Sequence, residues 1–252
     1  MTILVGVLCE DGIIIGADSS STFGNGQFRT VEQPCKKIVV LNGSVIVAGT
    51  GHVGLNQRFC KIVGDCFADP SFLSQHPIEK AKILTGKGRE DFQSTGAQFL
   101  GNYGALLAFA QNRNLYLVEF ASDTFQPEFK ERSLWFVSMG SGQTIADPFL
   151  GLMRRTFSSK GPPKIPTGLF ITTWTLHHTC EVNPGGIKEP IDLAMLSFSD
   201  GKEVAELLDK EMVEEHWESV QSAYDYLAAF SKEQQPRKSS SDVSSIPEPP
   251  QT

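Results

Sequence analysis

The stretch that decides the fold is Thr2-Ile3-Leu4-Val5-Gly6-Val7-Leu8-Cys9-Glu10-Asp11-Gly12-Ile13-Ile14-Ile15-Gly16-Ala17-Asp18. Ile3 to Cys9 reads as a strand, and Glu10-Asp11-Gly12 as a turn, because Asp-Gly readily takes the positive φ of a tight hairpin. Ile13, Ile14 and Ile15 open the return strand, which runs into Gly16-Ala17-Asp18. A Ser- and Thr-rich run with Gly24 and Gly26 follows and reads as a loop.

Working outward, Lys37 to Val40 and Ser44 to Ala48 form a second hairpin around Asn42-Gly43. Both strands are continuous apolar runs, which predicts burial on two faces. Gly49-Thr50-Gly51 breaks the strand, and Val53, Phe59, Ile62, Val63 and Phe67 recur at helical spacing. Pro70 to Ser94 is polar and in part helical. Tyr103 to Ala110 and Leu115 to Phe120 make a third hairpin, and Trp135 to Met139 a strand ended by Gly140-Ser141-Gly142. Helices are predicted over Thr144 to Phe157 and Leu169 to Cys180, with Pro162, Pro163 and Pro166 interrupting between them. Asn183-Pro184-Gly185-Gly186 is a turn, and Ile191 to Phe198 a last core strand. From Val204 through Leu208, Met212, Val213, Trp217, Val220, Tyr224 and Leu227, apolar residues follow at helical spacing and predict a C-terminal helix or helix pair.

Helices grouped between hairpins, rather than alternating singly with strands, argue for antiparallel sheets. Two such sheets with helices outside give an α+β, four-layer αββα sandwich. Residues 2–235 read as one domain. Pro236 to Thr252 turns to Pro, Ser and charge and reads as a disordered tail.

The chain has 252 residues, 40% hydrophobic and 20% charged, with a formal net charge of −7. That is long enough for a large core and too acidic for non-specific nucleic-acid binding, which needs clustered cations. The five cysteines form no C-x-x-C pair, and an odd number cannot all be bridged within the chain. A reducing cytoplasm is therefore expected, with no disulfide framework. His177 and His178 have no spaced Cys partners, so no metal is expected; Cys9 and Cys60 sit in apolar patterns and read as buried, inert thiols. Ile3 to Cys9 lacks the basic lead and cleavage site of a signal peptide. No run approaches the ~18 apolar residues of a membrane helix.

Several residues could carry chemistry. An N-terminal threonine brings its own base, the free α-amine, whose pKa near ~8 leaves it partly neutral at physiological pH. Thr2 would become such a residue on removal of Met1; otherwise it is only the second residue of a surface terminus. Asp18 ends one apolar strand and Lys37 starts another. They form an ordinary ion pair at a sheet end, or a cation held where it lowers the pKa of an amine and a hydroxyl. Gly49 directly follows a strand, either as a plain turn or as a backbone N–H presented to an oxyanion. Ser141 either bonds a reacting amine or caps the helix near Thr144. Gly49-Thr50-Gly51-His52-Val53-Gly54 fits the G-x-G-x-x-G dinucleotide pattern, but the hairpins around it are not a βαβ unit.

In this order the pieces resemble proteasome β-subunits, of the N-terminal-nucleophile (Ntn) hydrolase superfamily. Thr2 to Gly6 and Asp11 to Ser19 resemble the family's opening strand pair, Lys36-Lys37-Ile38 its lysine segment, Val47-Ala48-Gly49 its oxyanion segment, and Gly140-Ser141-Gly142 its serine motif. The resemblance extends over roughly the first 200 residues. It implies an Ntn-hydrolase fold, no cofactor, and a threonine peptidase with Thr2, Asp18, Lys37, Gly49 and Ser141 at its site. It also implies peptide or unfolded-protein substrates and a homo-oligomeric, stacked double ring. Lys37 is assigned over Lys36 because the residue after the family lysine is usually apolar. There are departures: Ser20 stands where the family commonly has Arg, and Glu181 and Pro184 replace the Asp and Ser of a late motif. These leave open a weakened or inactive ring scaffold; an amidase of the same superfamily acting on small amides is the other alternative. The absence of a long propeptide and the C-terminal extension resemble stand-alone bacterial proteasome homologues.

Overall fold

The computed structural model describes residues 1–25, 28–183 and 185–233. The elements in chain order are β1 (Leu4–Leu8), β2 (Gly12–Asp18), β3 (Ser20–Asn25), β4 (Phe28–Pro34), β5 (Ile38–Leu41), β6 (Val45–Gly51), α1 (Val53–Phe67), α2 (Pro70–Leu73) and α3 (Pro77–Ser94). They continue with β7 (Tyr103–Gln111), β8 (Asn114–Phe120), β9 (Pro127–Phe129), β10 (Phe136–Met139), α4 (Gln143–Phe157), α5 (Ile165–Val182), β11 (Ile191–Ser199), β12 (Lys202–Leu207) and α6 (Lys210–Glu233).

Two five-stranded antiparallel sheets form, in the orders β10-β1-β2-β11-β12 and β5-β6-β7-β8-β9, with β3-β4 as a separate ribbon. The pleat of the second sheet sorts its side chains into two cores. Ile46, Ala48, Leu106, Ala108 and Leu117 pack with the first sheet, whose other face meets Leu150, Ile171 and Val220 of α4, α5 and α6. Val45, Val47, Leu107 and Phe109 pack instead with Phe59 of α1 and Phe92 of α3. The result is the expected helix–sheet–sheet–helix sandwich. α5 carries threonines into its core, and Thr172, Thr175 and Thr179 return their hydroxyl protons to carbonyls one turn back at 2.7–2.8 Å. No buried hydroxyl of these three is therefore left unpaired.

Several expectations are corrected. The Ser/Thr stretch read as a loop is the β3-β4 hairpin, with a register shift at Phe23/Gly24. The ribbon pairs with neither five-stranded sheet, and its Ser, Thr and Gly content is that of a loop. Val204 lies on β12, and α6 starts only at Lys210. The hairpin turns at Asp200 and Gly201, both at positive φ, the geometry of a type I′ turn. α5 begins four residues before Leu169, with Pro166 inside its first turn, where the missing N–H costs nothing. β9 had no sequence counterpart. Pro184 and the tail Pro236 to Thr252 lie outside the described residues.

One end of the sandwich gathers the residues of interest. β1 starts there, β2 and β10 end there, and β5 starts beside the end of β6. The register Leu4↔Ala17 and Leu4↔Met139 sets Thr2 between Asp18 and Gly140.

Candidate active site

Thr2 is buried at the head of β1. Its N–H donates to Ser141 Oγ at 3.1 Å, and its carbonyl accepts the Gly142 N–H at 3.2 Å. The glycines flanking Ser141 follow from this closeness. Gly140 has φ +95°, and a Cβ on it would lie 2.4 Å from the Thr2 carbonyl oxygen; a Cβ on Gly142 would lie 2.8 Å from Ile187 Cδ1. Ser141 does not cap α4: the N-cap is Gly142, without a side-chain bond.

Asp18 and Lys37 meet beneath Thr2. Lys37 Nζ donates to Asp18 Oδ1 at 2.7 Å, and the same oxygen accepts the Ile3 N–H at 2.8 Å. Asp18 is fully buried and Lys37 is 4% exposed, whereas Lys36 is exposed. Burial raises the Asp18 carboxyl and lowers the Lys37 ammonium, each opposed by its partner's charge and hydrogen bond. Desolvation thus draws both groups toward their neutral forms. Lys37 Nζ also reaches the Met1 carbonyl at 3.5 Å. That carbonyl is bonded to Thr2 N, so its departure with Met1 would leave an α-amine between the ammonium and the Ser141 hydroxyl. Cys180 belongs to the same electrostatic neighbourhood; burial first, then Asp18 and Glu189, pushes its thiol up to about 12.

Gly49 is placed differently from the others. Its N–H donates to the Lys37 carbonyl at 3.0 Å. The space of a Gly49 side chain is filled by Asn56, whose Oδ1 would lie 2.0 Å from a Cβ. Thr50 and Gly51, not Gly49, line the cavity beside Thr2. Strand N–H groups alternate between edges, so the Gly51 N–H faces the same edge as that of Gly49. It does so beyond the start of β5, at a residue that lines the same cavity as Thr2.

That cavity holds about 340 Å³. Sequence reasoning missed its walls: Asn102, Ser122 and Gln143 lie far apart in the chain and match no motif, and Thr50 was read only as part of a strand break. Glu181, expected in the late acid segment, is exposed at the end of α5. The strand does not break at Gly49: β6 runs on through Gly51, so the G-x-G-x-x-G match begins inside it, and β6 is antiparallel to both its neighbours, so the parallel βαβ context is lacking. Cys9 and Cys60 are buried and burial raises both thiols, Cys60 to about 11. Among the described residues no group of three or more His, Cys, Asp or Glu is placed to hold a metal ion, and no helix is long and apolar enough to cross a membrane.

Residues 2–151 match the family model described as "Proteasome subunit". Among solved structures, the chain resembles an Anbu (Gly-1) mutant from Hyphomicrobium sp. strain MC1, with TM-score 0.68 and 17% identity over 92% of this chain and 97% of that one. Anbu, described as an ancestral β-subunit, from Yersinia bercovieri gives TM-score 0.67 and 14% identity over 93% and 98%. A further Anbu structure from the Hyphomicrobium strain gives 0.67 and 14% over 94% and 99%. At these identities the likeness is one of fold. No curated protein sequence matches the chain.

Proposed function

The chain belongs to the proteasome subunit family, and from that premise we propose that it is a threonine peptidase whose nucleophile is Thr2, exposed when Met1 is removed. The observation that carries the proposal is the convergence on Thr2 N of the Ser141 hydroxyl at 3.1 Å and, across the Met1 carbonyl, of the Lys37 ammonium. Met1 removal turns that nitrogen from an amide into an amine. The amine takes the Thr2 Oγ proton as Oγ attacks the carbonyl carbon of a peptide bond. Lys37, itself held by Asp18, keeps the amine's pKa low enough for it to act as a base near neutrality.

As the C–N bond breaks, the proton on the α-ammonium passes to the leaving nitrogen, and the acyl group stays as an ester on Thr2. Water, activated by the same amine, then releases the acid. The tetrahedral oxyanion needs backbone donors. Gly49 can serve only by giving up its bond to Lys37, so the Gly51 N–H is the better placed of the two.

Intact-mass measurement and a Thr2→Ala variant test the reading together. A chain beginning at Thr2 that hydrolyses peptides, and an Ala variant that is folded and inactive, are expected. An Ala variant as active as its parent would remove Thr2 from the mechanism. The setting we propose for the reaction is cytoplasmic, inside a ring of identical subunits, with residues 2–235 as the folded unit.

A further inference from the structure

We propose that the cavity beside Thr2 is the subsite for the leaving half of the substrate, and that it selects a small, polar, uncharged residue immediately after the scissile bond. The inference rests on Thr2 being the nucleophile and adds the substrate class.

The side of Thr2 on which the leaving group sits follows from proton bookkeeping. The leaving nitrogen must collect its proton from the Thr2 α-ammonium, so it departs on the amine's side. The Thr2 nitrogen points at Ser141 Oγ. Gly140, Ser141 and Gln143 form one wall of the cavity, which therefore opens where the freed amine and the residue attached to it must lie.

The chemistry of the other walls sets the selectivity. Facing that turn are Thr50, Asn102, Ser122 and Tyr103, so once Met1 has left no side chain lining the cavity is charged. Asn102 gives one of its two side-chain N–H groups to the Gln98 carbonyl at 3.0 Å, and Gln143 gives one of its two to Asp147 at 3.1 Å. Each thus keeps its amide oxygen free as an acceptor, and Ser122 and Thr50 supply hydroxyls. These groups suit the hydroxyl or amide of Ser, Thr, Asn or Gln. An apolar side chain would strip water from them without return, a cationic one would meet no carboxylate in the lining, and an anionic one would face the amide oxygens. About 340 Å³ gives room for one such residue and part of the next, not for a long apolar segment.

The test is a peptide library cleaved by the mature protein, with fragments identified by mass spectrometry, run beside Asn102→Asp and Ser122→Asp variants. The parent is expected to favour Ser, Thr, Asn or Gln after the cut. Each carboxylate should raise cleavage before Lys or Arg by about fivefold, the worth of a partly exposed ion pair. Apolar or random residues after the cut, unchanged in both variants, would overturn the subsite while leaving Thr2 as nucleophile. Loss of the Thr2 reading shows instead as a Thr2→Ala variant that cleaves like its parent.

A second measurement needs no turnover. In Thr2→Ala protein lacking Met1, serinamide and leucinamide mimic the freed leaving group. Serinamide should shift the Asn102 side-chain amide resonance at concentrations where leucinamide does not. Equal responses, or none to serinamide, would count against the subsite.

Discussion

The Thr2 nitrogen stands 3.1 Å from the Ser141 hydroxyl oxygen, a residue 139 positions later in the chain. The contact is built by backbone: Gly142 N–H holds the Thr2 carbonyl, and the Gly140 turn carries the serine past it. Removing only the hydroxyl should therefore touch the chemistry and not the frame. Ser141→Ala is expected to lower kcat/KM about a hundredfold, the lower range for a lost proton-transfer partner. Ser141 is exposed, so its melting temperature should barely move. A large loss of stability with unchanged turnover would make the serine structural.

The Asp18–Lys37 pair is dry, and breaking it strands a charge. Lys37→Met should cost about 3–5 kcal/mol in urea unfolding, as expected when a buried ion pair loses one member. Adding Asp18→Asn removes the stranded charge and keeps an acceptor for the Ile3 N–H. Most of the stability should return, while activity stays a small fraction of the parent's in both proteins. A single variant as stable as its parent would show that the pair contributes nothing to the fold.

The same lysine sets the pH response. An α-amine beside a cation titrates below its ordinary value, near ~8. For the parent, kcat/KM should climb with pH along one limb whose midpoint lies below that value. In the residual turnover of Lys37→Gln the midpoint should move upward. A midpoint that moves down, or stays, contradicts the assigned role.

Gly140 sits at φ +95°, with no room for a Cβ against the Thr2 carbonyl. Gly140→Ala adds strain of about 1–3 kcal/mol. The turn must give way first, so the loss of activity should far exceed the loss of stability. Rates and melting curves on one preparation decide this, and a variant with parental kcat would refute the close fit.

Away from the site, His177 bonds Glu189 at 2.6 Å and stacks on Trp217 of α6 at 3.7 Å between ring centroids. Burial lowers its pKa from 6.5, partly offset by Glu189. A depressed folded value means the unfolded chain binds the extra proton more readily. The stability His177 contributes is then present above about 6.5 and lost as pH falls through the folded value. Acidification below 6.5 should loosen α6, visible as faster amide exchange around Trp217, and His177→Gln should flatten the response. An equally steep response in that variant would point to another group.

The sequence by itself determined the β1-β2 and β5-β6 hairpins and the buried acid and lysine, because turn chemistry and apolar runs act over a few residues. It also contained Asp200-Gly201, the turn before β12, but Val204 and Leu208 fit a helical period as well as a strand. Tertiary structure decided the rest. Ser141 meets the Thr2 nitrogen through the pairing of β10 with β1, which no local pattern encodes. Gly49 looked free to bind an oxyanion, yet the register of β6 on β5 commits its N–H to the Lys37 carbonyl and leaves Gly51 facing the cavity. Asn102 and Ser122 become walls of that cavity only through the packing at one end of the sandwich. Hydrogen-bond direction and cavity shape depend on which strands adjoin, and adjacency is fixed by the whole core at once.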